Sequence, residues 1–263
     1  LRASEADLYG RVEGDRMNML DHADIVVTHA CNMNCPHCID PLRGAKGCVS
    51  PESVRRFMRL LSENAECGME VLFLGGEPTM AGPERLIELA GIVRDAGFSP
   101  IISTNGVLKD TIRLIQPYFD WIQVTTHSPE ETDFWREENR VEGNINLKIA
   151  GDANLTYDKL MEFMDTTQDF KRRSVSMYFT SDFKELCEDS EVWALLNTME
   201  WHANGSYMYA MYEGVRFKKC IPGMTNIADE PAVPKLYPNG NYNRTWCDEC
   251  MDEYLGPLPE VMV

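Results

Sequence analysis

No stretch of this 263-residue chain is apolar for long enough to cross a bilayer as a helix, so these residues are not expected to include a membrane-spanning helix. Positive charge is also in short supply: 25 Lys and Arg stand against 42 Asp and Glu, a formal net charge of −17. Such a surface repels phosphate backbones, and nucleic acid is not an expected partner. The first 24 residues hold many charges and no apolar signal core, so nothing points to secretion and a cytoplasmic location is expected. Internal repeats and low-complexity tracts are missing too, which argues against solenoid and linker architectures. What is present is a 44% hydrophobic composition, enough for one large α/β domain with or without a small appendage.

Cysteine is not scarce. Nine are present, and in a chain of this size with no signal segment they read as metal ligands rather than disulfides. Three fall within eight residues, Cys31-Asn-Met-Asn-Cys35-Pro-His-Cys38, at C-x3-C-x2-C spacing. Thiolates select zinc, copper(I) or iron–sulfur clusters. A structural zinc site usually takes four ligands. Three cysteines would instead leave one iron of a 4Fe–4S cube without a thiolate, open to a small molecule that can be reduced there. His37 is placed to pack against such a cluster or to act as a fourth ligand; a zinc knuckle is the plainer alternative.

Around this loop the pattern alternates. Asp24–His29 is β-branched and reads as the strand delivering the loop. Ser50-Pro51 starts a helix, with Val54, Phe57, Met58 and Leu61 at helical spacing. Strands follow at Glu70–Leu74, Phe98–Ser103, Trp121–Thr126, Asn144–Ala150 and Ser174–Thr180. Helices lie between them at Pro83–Ala96, Lys109–Gln116, Pro129–Glu138 and Thr156–Thr167. Six strand–helix alternations predict a parallel sheet with right-handed crossovers. Six units are too few to close an eight-fold barrel, so the expected class is α/β, an open partial (β/α)6 TIM-type barrel. Chemistry in such barrels sits at the carboxyl ends of the strands, where the candidate motifs all lie.

The cysteine loop resembles the signature of the radical S-adenosylmethionine (SAM) superfamily, with His37 in its aromatic position. Gly75-Gly76-Glu77-Pro78 resembles that family's Gly-Gly-Glu-Pro motif, and Cys38 to Gly75 leaves room for the one helix and one strand the family has. The resemblance implies a SAM-binding 4Fe–4S cluster on Cys31, Cys35 and Cys38. It also implies contact of Glu77 with the SAM ammonium, a charge-assisted bond, and close backbone approach at Gly75 and Gly76. Ser103, Asn105, Thr125 and His127 are the further cofactor-binding candidates. Thr125 stands in a ribose-binding position and His127 where the family more often has an aspartate. Arg136 and Lys148 are candidates for the SAM carboxylate, with solvated surface charge as the alternative, and Met177 and Tyr178 are candidates for the adenine pocket.

Beyond Ser181 the rhythm stops, and the domain division expected is 1–182 for the barrel and 183–263 for a small β-hairpin, cysteine-rich extension. Tyr207–Tyr212 and Val215–Lys219 flank Glu213-Gly214 as a hairpin that delivers Cys220. Cys187, Cys220, Cys247 and Cys250 are spaced C-x32-C-x26-C-x2-C. The arrangement resembles the twitch and SPASM extensions of the superfamily, which implies a second, auxiliary 4Fe–4S cluster on these four; a zinc site is the other reading. Cys187 falls on an expected helix, Phe183–Leu196, and burial there is the alternative to ligation. Cys48 and Cys67 belong to no motif.

The resemblance implies an oxidoreductase that cleaves SAM reductively and oxidises or cross-links an unactivated C–H site, with the auxiliary cluster as electron acceptor. An external one-electron reductant such as flavodoxin or ferredoxin is implied as partner. Only some twenty residues precede the first strand, too few for a leader-binding domain, so a small-molecule substrate is expected. A ribosomally synthesised peptide is the alternative, and a non-catalytic iron–sulfur electron carrier the second.

Overall fold

The computed structural model describes residues 20–35, 38, 45–62, 65–126, 129–177, 187–200, 202–204, 207–213, 215–220, 234–239, 241–244 and 254–257, some of them by backbone alone. The N-terminal half of the pattern is a parallel sheet. Strands β1 (Leu20–Thr28), β2 (Ala65–Gly75), β3 (Ser99–Thr104), β4 (Trp121–Thr126), β5 (Ile145–Gly151) and β6 (Arg173–Met177) lie side by side in chain order. Helices α1 (Pro51–Ser62), α2 (Pro83–Asp95), α3 (Lys109–Ile115), α4 (Pro129–Glu142) and α5 (Tyr157–Thr166) connect them. The expected partial barrel class is therefore the observed one.

Local chemistry sets these helices. Ser50 accepts from the N–H of Ser53 at 3.0 Å and caps α1, whose first residue is Pro51. Thr156 does the same for α5 through Lys159. The stripe read from the sequence, Val54, Phe57, Met58 and Leu61, is the buried face of α1. Alternation along the strands completes the core: Ile25, Phe73, Ile102, Val124, Leu147 and Val175 are each fully buried against the helices. A buried side chain of that size contributes about 1.5–3 kcal/mol.

The opposite face of each strand is left for chemistry. Ser103, Gln123 and Asn146 share one cross-strand row. Thr125, Lys148 and Ser174 share the row nearer the carboxyl ends.

The segment after β6 adds strands at both edges of the sheet. Helix α6 (Ser190–Leu196) is followed by β7 (His202–Asn204), β8 (Tyr207–Tyr212) and β9 (Val215–Cys220). The hairpin is as read, but β9 pairs parallel with β6 and extends the same sheet. The chain then crosses to the far edge, where β10 (Pro234–Leu236) pairs parallel with β1. β11 (Asn241–Arg244) and β12 (Tyr254–Pro257) continue outward antiparallel. The twelve strands form one sheet. β10 covers the open ladder of β1, and Lys235 meets Asp24 at 3.5 Å, both side chains 8% exposed. His22 also holds Asp24, at 2.9 Å. No helix among the described residues is long and apolar enough to cross a membrane.

Candidate functional site

β1 ends in Thr28, whose hydroxyl donates to the Gly47 carbonyl at 2.6 Å and accepts from the Ala30 N–H at 3.1 Å. This fixes the root of the cysteine loop. Cys31 and Cys35 are half-buried and Cys38 is exposed. The Met33 N–H donates to the Cys31 sulfur at 3.4 Å. The Cys38 N–H closes a turn on the Cys35 carbonyl at 3.2 Å. Among the described residues no three Cys, His, Asp or Glu side chains converge as a metal-holding group: the thiols share a loop without being drawn together. Three accessible thiols on one pinned loop are a donor set that fits an iron–sulfur cluster with an open iron.

The Gly75-Gly76-Glu77 turn is docked on that root. Gly76 N–H donates to Thr28 O at 2.8 Å, and Glu77 N–H to Ala30 O at 2.7 Å. A Cβ at Gly75, where φ is +133°, would lie 2.3 Å from the Thr28 carbonyl oxygen, and one at Gly76 2.4 Å from that of Ala30. The close approach these glycines permit is thus to the backbone that leads into the cysteines.

Glu77 is 1% exposed. Its Oε1 accepts from the Thr79 N–H at 3.1 Å and from the hydroxyls of Thr79 at 2.5 Å and Thr104 at 2.6 Å. Its Oε2 accepts from the Asn105 N–H at 2.7 Å. A buried carboxylate needs such donors, and these join the end of β2 to the end of β3. Asn105 continues the network: its Nδ2 donates to Asn32 Oδ1 at 2.8 Å, and its Oδ1 accepts from Val107 N–H at 3.0 Å. Pro78 is buried at the start of a 3-10 turn, Pro78–Ala81.

Of the other residues picked from the sequence, Ser103, Thr125 and Lys148 are half-buried on the face opposite the helices. His127, His37 and Tyr178 lie outside the described residues. Met177 is 3% exposed within the hydrophobic core. Arg136 is not gathered with Glu77 and Asn105. Its guanidinium binds Asp133, Asp169 at 2.8 Å and the Thr166 carbonyl, tying α4 to the end of α5 remote from the cysteine loop. Those contacts raise its pKa, although partial burial works against them.

Cys187, a candidate ligand on its spacing, sits in the core. It is 2% exposed, lies in the main hydrophobic cluster, and its thiol points at the Leu155 carbonyl at 3.5 Å. The Cys187 carbonyl accepts from Trp193 Nε1 at 2.8 Å. Cys247 and Cys250 lie outside the described residues, and Cys220 is described by its backbone alone, at the end of β9.

Sequence reasoning missed Asn32 and Thr79 as members of the network. The available signal was adjacency: each directly follows a motif residue already singled out, Cys31 and Pro78.

Comparison with known proteins agrees with this geometry. The Radical SAM superfamily matches residues 25–181. A 7,8-dihydro-6-hydroxymethylpterin dimethyltransferase of Methanocaldococcus jannaschii is 33% identical over 97 residues, 36% of this chain and 19% of the relative. A PqqA peptide cyclase of Rhodopseudomonas palustris is 36% identical over 89 residues, 34% of this chain and 23% of the relative. Streptococcus suis SuiB, solved with its precursor peptide SuiA, superposes with a TM-score of 0.60 at 14% identity, covering 90% of this chain and 62% of SuiB. The likeness to SuiB is one of fold and runs past the barrel into the extension. The matched stretch is about a fifth of the length of the two curated relatives.

Proposed function

Because the chain belongs to the radical SAM superfamily, we propose that it is a radical SAM oxidoreductase that modifies a ribosomally made peptide. One observation carries the chemistry: the Gly75-Gly76-Glu77 turn is docked by backbone hydrogen bonds on the root of the three-cysteine loop. Cys31, Cys35 and Cys38 would hold the 4Fe–4S cluster, and the turn beside them would hold SAM. Bound there, the cluster and SAM would supply one-electron cleavage of SAM and the 5′-deoxyadenosyl radical chemistry that attacks an unactivated C–H bond.

The chain's own residues bind and orient. Three donors fill Oε1 of Glu77, whereas Oε2 has one, so Oε2 and the carbonyls of the turn are the acceptors that would remain for the SAM ammonium. Ser103, Asn105 and Thr125 offer polar groups to the ribose, and Lys148 offers its charge to the carboxylate. Arg136, spent on α5, is left out of this set.

The peptide reading corrects the small-molecule expectation. SuiB, whose fold covers 90% of this chain, holds a precursor peptide, and PqqA peptide cyclases of three bacteria are among the curated relatives. The expectation rested on the few residues ahead of β1, and the start of a chain does not tell where a peptide is recognised. We take residues 1–182 as the barrel and 183–263 as an extension holding a second cluster on Cys220, Cys247 and Cys250, supported by their spacing and by the likeness to SuiB beyond β6.

The test is anaerobic reconstitution with SAM, dithionite and candidate precursor peptides deuterated at single positions. The expected results are about eight irons per chain, 5′-deoxyadenosine carrying deuterium, and a peptide product lighter by two hydrogens. Deuterium transfer only from small molecules would overturn the peptide reading. About four irons with zinc would overturn the second cluster.

A further inference from the structure

Behind the cysteine loop the chain reverses its charge. Residues 38–62 hold five of its 25 basic residues (Arg43, Lys46, Arg55, Arg56 and Arg59) and only two of its 42 acidic ones, Asp40 and Glu52, a local net of +3 in a chain of −17. The structure sets much of this stretch beside the thiols. Val49 N–H donates to Val27 O at 2.8 Å, and Thr28, three residues ahead of Cys31, bridges to Cys48. α1 begins two residues after Val49, so its first turns descend from the end of the sheet that carries the cysteines.

The buried stripe of α1 faces the core and leaves Glu52, Arg55 and Arg59 outward. The side chains of Arg55 and Arg59 are 49% and 58% exposed. Their acidic neighbours hold them loosely. Arg55 reaches Glu88 at 3.9 Å, and Arg85 takes that same carboxylate at 3.3 Å. Arg59 reaches Glu52 at 3.8 Å. Exposed pairs of this length contribute little, and carboxylates of a docked partner can replace them.

We propose that the outward face of α1, with the exposed Lys46 at its head, docks an acidic one-electron carrier protein that reduces the centre on the cysteine loop. This rests on the radical SAM reading, which requires one electron per SAM cleaved. The carrier is oxidised by one electron and the cluster reduced by one; no bond forms and no proton moves. Charge complementarity selects the occupant: an acidic carrier is repelled by most of this surface and drawn to this basic face, which follows the cysteine loop in the chain. An acidic segment of the substrate peptide is the competing occupant.

The experiment compares two reductants on the full reconstituted chain carrying Arg55→Glu and Arg59→Glu. Dithionite needs no docking, so 5′-deoxyadenosine formation with it should stay within about twofold of wild type. The rate with reduced flavodoxin should fall about tenfold or more at low salt and converge on wild type near about 0.5 M salt. Arg140→Glu, on α4 and 66% exposed, should leave both rates as they are. Equal losses with both reductants, or no loss with either, would overturn the proposal. A raised KM for peptide with an unchanged flavodoxin rate would assign the face to the substrate instead. If wild type with dithionite makes no 5′-deoxyadenosine, the proposed activity has failed. Docking is then still read from the rate at which reduced flavodoxin bleaches the cluster absorbance, and that rate must fall in the double variant.

Discussion

Asn105 donates its side-chain N–H to the side-chain oxygen of Asn32 at 2.8 Å, across 73 residues of sequence. Asn32 follows Cys31 directly, and Asn105 gives its backbone N–H to Glu77. The pair therefore links the cysteine loop to the turn proposed to hold SAM. If that link orients the turn, Asn32→Ala and Asn105→Ala should each weaken SAM binding by about 0.5–1.5 kcal/mol, roughly two- to tenfold. The double variant should cost less than the two losses added together. Calorimetric SAM titration of the four proteins checks this, and strict additivity would mean that the bond couples nothing.

Glu77 has more to do than meet an ammonium. Glu77→Ala would leave the Thr79 and Asn105 N–H groups and the Thr104 hydroxyl without their acceptor. Each buried orphan costs about 1–3 kcal/mol. The variant should therefore lose several degrees of Tm as well as SAM affinity. A Tm equal to wild type would show that these donors find other partners.

Two glycines make a controlled pair. A methyl at Gly76 would meet the Ala30 and His29 carbonyl oxygens at 2.4 and 2.6 Å, whereas one at Gly91 on α2 meets nothing within 4 Å. Gly76→Ala must push the turn off the root of the cysteine loop and should reduce both Tm and reconstituted iron. Gly91→Ala, in a helix interior, should gain about 0.5–1 kcal/mol. Thermal melts and iron assays on both variants read the contrast, and a Gly76→Ala protein with full iron would mean the docking does not support the loop.

Much of this was legible beforehand for a physical reason. The six strand–helix units announce themselves by β-branched runs and helical stripes, and the stripe Val54, Phe57, Met58 and Leu61 is buried as its spacing requires. Side-chain periodicity does not reveal which backbone edge a short strand will cover. Pro234–Leu236 has three residues and no pattern, yet it pairs with β1 at Asp24 and Ile25. Nor does a charge reveal its partner in advance. Arg136 reads equally as an anion ligand or a surface residue until Asp133 and Asp169 are seen around it. Cys187 shows the same ambiguity, because a thiol five residues before the buried Val192 is as good a core residue as a ligand.

That ambiguity is testable. If Cys187 belongs to the core, Cys187→Ala removes a buried sulfur and should lower Tm while leaving the reconstituted iron at the wild-type value. Cys220→Ala, Cys247→Ala and Cys250→Ala should each lower the iron. Loss of iron in a folded Cys187→Ala protein would restore it as a ligand.

The last prediction concerns Asp189, which serves two helices at once. Its Oδ2 accepts from the Tyr157 N–H at the start of α5. Its Oδ1 accepts from the N–H groups of Glu191 and Val192 at the start of α6. These bonds, that from Tyr157 foremost, favour the charged form and hold its pKa below the ordinary carboxylate value. The unfolded chain therefore binds this proton at a higher pH than the folded one does. The stabilisation is fully present above the unfolded pKa of about 4 and is lost as pH falls through the lower folded value. Asp189→Asn keeps one acceptor oxygen but loses the charge. Its Tm should lie below wild type at pH 7, by an amount that stays constant down to about pH 5 and narrows below about pH 4. Thermal melts of both proteins across that range measure the gap. A gap that does not change with pH would mean the carboxylate acts by shape and not by charge.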